Sequence, residues 1–247
     1  MKAAELDRRF TSAVASFWSA RSKNRQEQQR RGVLDQGNRS EVTGGTQLGA
    51  LELLIVDLLL EAGLDKLDIR TRSRLEIPGY FRSEKQWDLL VVTKAGGVTR
   101  LVVAIEFKSM AGSTGKNLNN RAEEIVGNAV DLWTAFREGR LGPAAPRPFV
   151  GFVVLVEDLD EVNHPIAAAE PYFTVDPVFQ GRSYAQRWTI LCQRLMSERL
   201  YTATCCELIT RKAAHRAVGT DVSFQAFAAG VEGHALTFKK TIEASKS

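Results

Sequence analysis

Three charged residues, Asp88, Glu106 and Lys108, border two apolar runs in the middle of this chain. In an extended strand alternate side chains share a face, so Val102, Ala104, Glu106 and Lys108 point one way and Leu101, Val103, Ile105 and Phe107 the other. The acid and the lysine then sit with Cβ atoms roughly 6.5–7 Å apart. Charged groups at the end of a buried strand are costly unless they are paired, bind a metal or line a cleft. Asp88 lies on the preceding run, Trp87-Asp88-Leu89-Leu90-Val91-Val92. Two carboxylates, with the backbone carbonyl of Phe107, make a hard-oxygen set suited to one or two Mg²⁺ ions. A metal held there activates water and neutralises charge on a phosphorane-like transition state. Lys108 positions or helps deprotonate that water and offsets anionic charge. The same spacing also fits a plain salt bridge at a sheet end.

The chemistry depends on a hairpin register. A three-residue loop centred on Gly96 sets Asp88 opposite Ala104, on the face of Glu106. A two-residue loop at Gly96-Gly97 sets it opposite Ile105, on the wrong face.

The surrounding elements follow from apolar periodicity. Residues 5–29 read as a helix, with Leu6, Phe10, Val14, Phe17 and Trp18 at helical spacing, and residues 32–45 as a Gly-rich loop. A second, strongly apolar helix covers 47–62 and ends at Gly63. Strands are expected over 67–77, 86–94 and 99–109, with a turn at Pro78-Gly79. A small-residue loop, 111–116, leads into a helix over 119–137. After a Pro-rich linker, 149–156 reads as a strand buried on both faces. Residues 157–182 look irregular, 184–208 read as one long helix, and the last forty residues give no clear pattern. The order is αβββαβ with added helices, a mixed α/β fold. With no repeat or low-complexity linker, one domain over 1–247 is expected. Its core is about 47–156, preceded by a helix and basic loop (1–46) and followed by a helical region (157–247).

Composition narrows the class. At 247 residues, 44% hydrophobic and 25% charged, the chain has the make-up of an ordinary globular protein. No apolar signal core follows the N-terminus and the longest apolar stretch is interrupted by Glu52 and Asp57, so the expected location is the cytoplasm. Cys192, Cys205 and Cys206 have no ligand-like spacing and read as reduced core thiols. His164, His215 and His234 stand far apart, which disfavours a histidine-centred mechanism. The net charge of +4 is matched by one segment. Between Arg21 and Ser40, six basic residues (Arg21, Lys23, Arg25, Arg30, Arg31, Arg39) face two acids, Glu27 and Asp35. That segment reads either as a solvated helix face with a loop or as a phosphate-contacting arm. Trp18, Trp133 and Trp188 fall at core positions, and Trp87 is expected to face away from Asp88.

The order and the residues together resemble a known superfamily. Asp88, seventeen residues of hairpin and then Ile105-Glu106-Phe107-Lys108-Ser109 resemble the PD-(D/E)xK nuclease signature on its αβββαβ core. Further stretches resemble one branch, the XhoI-type Type II restriction endonucleases. These are Asp35-Gln36-Gly37-Asn38-Arg39, Val42-Thr43-Gly44-Gly45, Gly115-Lys116-Asn117, Asn119-Asn120-Arg121 and the segment from Ser183-Tyr184 to Leu200-Tyr201. The resemblance implies a Mg²⁺-dependent homodimer that hydrolyses both strands of double-stranded DNA at a palindrome. It implies 5′-CTCGAG, cut after the first C to leave 5′-phosphate ends, and a companion modification methyltransferase. Asp88 and Glu106 carry over as metal ligands and Lys108 as the catalytic lysine. Trp87, not proline, precedes Asp88, so Glu84 and Glu76 are the substitutes for the first acid. Asn38, Arg39, Lys116, Asn117, Asn119, Asn120 and Arg121 are the candidate DNA-binding residues, because Asn suits adenine and Arg or Lys suits guanine in the major groove. A polar loop with an Asn helix cap is the alternative. Arg182 is a further candidate, and Glu52 and Glu61 are either outer carboxylates of the metal site or the wet edge of their helix.

Overall fold

A computed structural model describes residues 1–30, 47–95, 97–112, 118–170 and 172–244. The 32–45 loop, with Asn38 and Arg39, lies outside the described residues, as do Lys116 and Asn117. The apolar stripe of the first segment makes helix α1 (Ala3–Arg30), which buries Leu6, Phe10, Val14, Phe17 and Trp18. Helix α2 (Gly49–Glu61) buries Leu51, Leu54, Ile55, Leu58 and Leu59, and the chain leaves it through Gly63 at φ 88°. That left-handed value is one glycine adopts without strain.

The strands follow: β1 (Ile69–Arg70), β2 (Glu76–Pro78), β3 (Glu84–Gln86), β4 (Leu89–Ala95) and β5 (Val98–Met110). Helix α3 (Leu118–Arg137) leads to β6 (Phe149–Glu157), a short α4 (Asp160–Asn163), α5 (Tyr184–Ser197), β7 (Ala203–Ile209), β8 (His215–Ala217) and α6 (Phe224–Ala244). Six strands form one sheet in the order β1-β4-β5-β6-β7-β8, and β2 and β3 make a separate ribbon. β5, β6 and β7 run parallel, and the other neighbours are antiparallel. The α2-β1-β4-β5-α3-β6 path is the expected αβββαβ core. Every residue of β6 is buried, because helices cover both faces of the sheet. Leu89, Val91, Val103 and Ile105 pack with α1, α2 and α6 on one side. Leu90, Ala104, Val154 and Cys206 pack with α3 and α5 on the other.

Three expectations are corrected. The strand over 67–77 is two short pieces: residues 71–73 are bends, residues 72–74 are exposed and Arg74 takes φ 58°. The polar Thr71 and Ser73 on the proposed inner face offered no apolar surface to hold a continuous strand. The strand over 86–94 likewise breaks at Trp87-Asp88, between β3 and β4. The long helix over 184–208 ends at Ser197, Arg199 turns at φ 58°, and residues 203–209 are a strand. β7 is buried on both faces, with Cys205 in the cluster of α1, α2 and α6 and Cys206 in the cluster of α3 and α5. A short run buried on both faces has no period by which to tell strand from helix.

All three cysteines are free and buried, and the four tryptophans are core residues. Among the described residues no helix is long and apolar enough to cross a membrane.

His215 on edge strand β8 joins α1 to the sheet. Its Nε2 lies 3.4 Å from Asp7 of α1 and its Nδ1 lies 3.5 Å from the buried Glu207 of β7, while its ring meets Phe10 edge-on. The hydrogen bond to Glu207 raises its pKa above the ordinary value of 6.5, against a lowering by burial. A raised folded pKa means the stabilisation is fully present below the unfolded value and is lost as pH rises through the folded one. We therefore expect His215→Gln to lower Tm more at pH 5.5 than at pH 9. Thermal melts showing an equal deficit at both pH values contradict the pairing.

Candidate active site

The β4–β5 hairpin decides whether the acids meet. Ala95 pairs with Val98, Thr93 with Arg100 and Val92 with Leu101, so the turn holds two residues, not the three that the favourable register required. By itself that turn puts Asp88 on the wrong face. The register then shifts by one residue between Val91 and Val92, so that Val91 pairs with Val103, Leu90 with Ala104 and Leu89 with Ile105. Val102 is the extra residue of a β-bulge, and it and Val103 both pack into the cluster on the α1, α2 and α6 side. One added residue reverses the parity, so that the ladder, which ends at Leu89 and Ile105, brings the next residue, Asp88, within reach of the Glu106 charge. His234 of α6 has its Nε2 3.1 Å from the carbonyl of Val102 and supplies that carbonyl with a donor.

Asp88 stands one residue before β4. Its N–H donates to the Ile105 carbonyl at 3.2 Å, and its Oδ2 accepts the N–H of Phe107 at 2.7 Å. The carboxylate thus replaces the main-chain partner that β5 lacks where β4 begins. N–H and C=O of one strand residue point to the same edge, so the Phe107 carbonyl also faces the Asp88 side. Burial raises the Asp88 pKa above the carboxylate range; the Phe107 N–H opposes this and the neighbouring Glu106 adds to it.

Glu106 is 1% exposed and its two oxygens have different surroundings. Oε2 accepts a hydrogen bond from Asn128 Nδ2 at 2.8 Å. Oε1 has Lys108 Nζ at 2.7 Å and Lys85 Nζ at 3.8 Å as ion-pair neighbours, but no donor aligned as a hydrogen bond. Lys108 also reaches Glu124 of α3 at 2.9 Å, and Glu124 is paired with Arg121 at 2.5 Å. Burial acts to lower the Lys108 pKa, but Glu106 and Glu124 together outweigh it and hold the ammonium above its usual value. Lys108 and Arg121 in turn hold Glu124 below its usual value, against burial.

Glu52 of α2 belongs to this neighbourhood: its pKa rises to about 7, first by burial and then by the charge of Asp88. A hydrogen bond with Thr71 and the charge of Arg72 offset part of that rise. Glu61 is elsewhere, 3.4 Å from the amino group of Met1. Glu76 and Glu84 are exposed on the β2–β3 ribbon, whose contribution to the site is Lys85. Asn119 and Asn120 are exposed in the first turn of α3, whereas Arg121 faces Glu124. Arg21 bonds the carbonyl of Ala111 after β5, and Arg182 bonds the carbonyl of Val178.

The residues missed in the sequence are Lys85, Glu124, Asn128 and Asp131. The last three stand at i, i+4 and i+7 on α3, a polar stripe beside the apolar Ile125, Ala129 and Leu132. That stripe was readable as one helix face. What it pairs with was not.

The sequence matches the family profile described as Restriction endonuclease XhoI over residues 27–220. The chain belongs to the XhoI restriction endonuclease family. It is 41% identical over 173 residues to the Type II restriction enzyme BstVI of Geobacillus stearothermophilus, covering 69% of this chain and 77% of that one. It is 45% identical over 175 residues to AbrI of Azospirillum brasilense (70% and 76%), and 40% identical over 196 residues to XhoI of Xanthomonas vasicola (78% and 76%). No solved structure matches the chain. Its relatives are site-specific deoxyribonucleases, and the mixed sheet flanked by helices is that of a PD-(D/E)xK-like enzyme.

The ion pair inside this site is testable without substrate. Lys108→Met leaves the buried Glu106 charge without its nearest cation, at a cost on the order of 3 kcal/mol. Combining it with Glu106→Gln should restore most of that stability in urea melts. Additive losses in the double variant contradict the pairing.

Proposed function

We propose that this Type II restriction endonuclease uses Asp88, Glu106 and Lys108 to hydrolyse both strands of double-stranded DNA at 5′-CTCGAG, as a Mg²⁺-dependent homodimer. It cuts after the first C, leaving a four-base 5′ overhang with a 5′-phosphate. The observation that carries this reading is that Asp88, bonded to the Phe107 N–H, lies within the field of the Glu106–Lys108 ion pair at one sheet end.

The donor set fits a hard divalent cation. Glu106 Oε1 is buried, negative and without an aligned hydrogen-bond donor, and Asp88 is a second carboxylate on the same side. The Phe107 carbonyl faces that side as a neutral third donor. Among the described residues no three His, Cys, Asp or Glu side chains form a ready cage. That suits Mg²⁺, which keeps several waters and takes few protein ligands. Bound there, Mg²⁺ supplies an acidified water and offsets phosphate charge.

The chain's own groups do the rest. The Phe107 N–H and the Asn128 amide hold the two carboxylates so that one oxygen of each is committed to the protein. Lys108 Nζ, protonated between Glu106 and Glu124, places positive charge where the phosphate gains negative charge. Water oxygen joins phosphorus as the bond to the 3′ oxygen breaks, giving a 3′-hydroxyl and a 5′-phosphate. Asn119 and Asn120, exposed beside the site at the start of α3, contact the duplex together with Lys116, Asn117, Asn38 and Arg39 that precede α3 and α2. Arg121 acts through Glu124. A homodimer matches the two-fold symmetry of a palindrome. The enzyme works in the cytoplasm, where a companion methyltransferase protects host sites.

A plasmid with one CTCGAG site should be linearised with Mg²⁺ and left intact with EDTA. Asp88→Ala, Glu106→Ala and Lys108→Ala should each lose at least about a thousandfold in single-turnover rate, as when charge-stabilising groups are removed, and still retard duplex in gels. Wild-type cleavage by Glu106→Ala contradicts the site. Cleavage elsewhere than CTCGAG contradicts only the recognition sequence. Light scattering of the complex should give two chains per duplex site, and one chain per site contradicts the dimer.

A further inference from the structure

A directed line of hydrogen bonds runs from the loop between β2 and β3 to the catalytic glutamate. Asp131 of α3 is 3% exposed, and its Oδ1 accepts the N–H groups of Tyr80 and Phe81 at 2.7 and 2.8 Å. Its Oδ2 accepts Arg82 Nε at 2.7 Å. Arg82 Nη2 donates to Asn128 Oδ1 at 2.8 Å, and Asn128 Nδ2 donates to Glu106 Oε2 at 2.8 Å. A guanidinium only donates, so the amide must turn its oxygen to Arg82 and its NH₂ to Glu106. Arg82 thereby removes the ambiguity of the amide's orientation. Asp131 fixes Arg82 in turn. The loop allows this because Gly79 has no side chain: a Cβ there meets Asp131 Oδ2 at 2.6 Å and the Arg82 carbonyl at 2.7 Å.

The consequence lies at Glu106. With Oε2 accepting from Asn128, rotation of the carboxylate about its last bond is restrained, and Oε1 is the oxygen presented toward Lys108. Asn128 is 3% exposed, so no bulk solvent replaces its amide. From this geometry we infer that Asn128, oriented by Arg82 and Asp131, is a positioning residue that aims Glu106 Oε1 at the divalent cation. The inference rests on the nuclease reading above. It adds that the ribbon loop bearing the exposed Tyr80 and Phe81 is mechanically joined to the cation site.

Outer partners of metal ligands typically contribute about ten- to a hundredfold to metal affinity. Mn²⁺ binding to the DNA-free protein, read by calorimetry, tests this without turnover. Asn128→Leu, close in size and without the amide, should weaken Mn²⁺ binding at least about tenfold, with metal-free duplex binding unchanged. Arg82→Met should weaken it in the same direction. The double variant should be no worse than Asn128→Leu, because both act along one line. Wild-type Mn²⁺ affinity in Asn128→Leu overturns the inference, and additive losses overturn the route through Arg82. If Asn128→Leu does not melt cooperatively, Arg82→Met decides, since its side chain is half-exposed and Asp131 keeps the Tyr80 and Phe81 N–H groups; wild-type affinity there overturns the inference. Glu106→Ala separates the two readings. If it too binds Mn²⁺ like wild type, the metal site itself is wrong. If it loses binding while Asn128→Leu keeps it, only the positioning role fails.

Discussion

The bulge at Val102 is the constraint on which the active-site geometry rests. A two-residue turn and a straight ladder bring Ile105 opposite Asp88 and turn the two acids to opposite sides. One extra residue in β5 restores the parity, and Val102 and Val103 turn to the same cluster as a result. Such a break in pairing leaves main-chain groups to be satisfied. His234, from an element 132 residues further along the chain, reaches the freed carbonyl. The register of the β4–β5 hairpin is therefore held partly by the last helix.

Charge burial sets the second condition. Glu106, Asp131 and Asn128 are all nearly inaccessible, and each is bonded on at least one side. Two of the three, Asn128 and Asp131, stand on α3, which crosses over the sheet between β5 and β6. Its polar stripe answers Lys108 with Glu124, Glu106 with Asn128, and the ribbon loop with Asp131. One helix face thus orders catalytic strand and ribbon together. What remains without an aligned partner is one oxygen of Glu106, beside a second, desolvated carboxylate. The site's charged groups are thus held by fixed hydrogen bonds and ion pairs within the folded chain.

Much of this was legible from residue types. The αβββαβ order, the buried β6 and the three free thiols follow from apolar period and residue type, whereas spacing left Asp88, Glu106 and Lys108 open between a salt bridge and a metal site. The errors share one physical origin. β7 was read as the tail of α5 because a strand buried on both faces shows no period, and its burial comes from α6, α1 and the neighbouring β6. The strand over 67–77 was read too long because alternation alone does not say whether anything packs against the polar face.

The chain's local chemistry determined which charged side chains border the buried strand and share its face, because side-chain type and a period of two are properties of the sequence itself. Tertiary structure decided that Asp88 and Glu106 share a side, since a bulge is a property of two paired strands and a distant histidine. It also decided which oxygen of Glu106 accepts from Asn128 and which faces Lys108, because the orientation of the Asn128 amide comes from Arg82 on a ribbon that reaches α3 only in the folded chain.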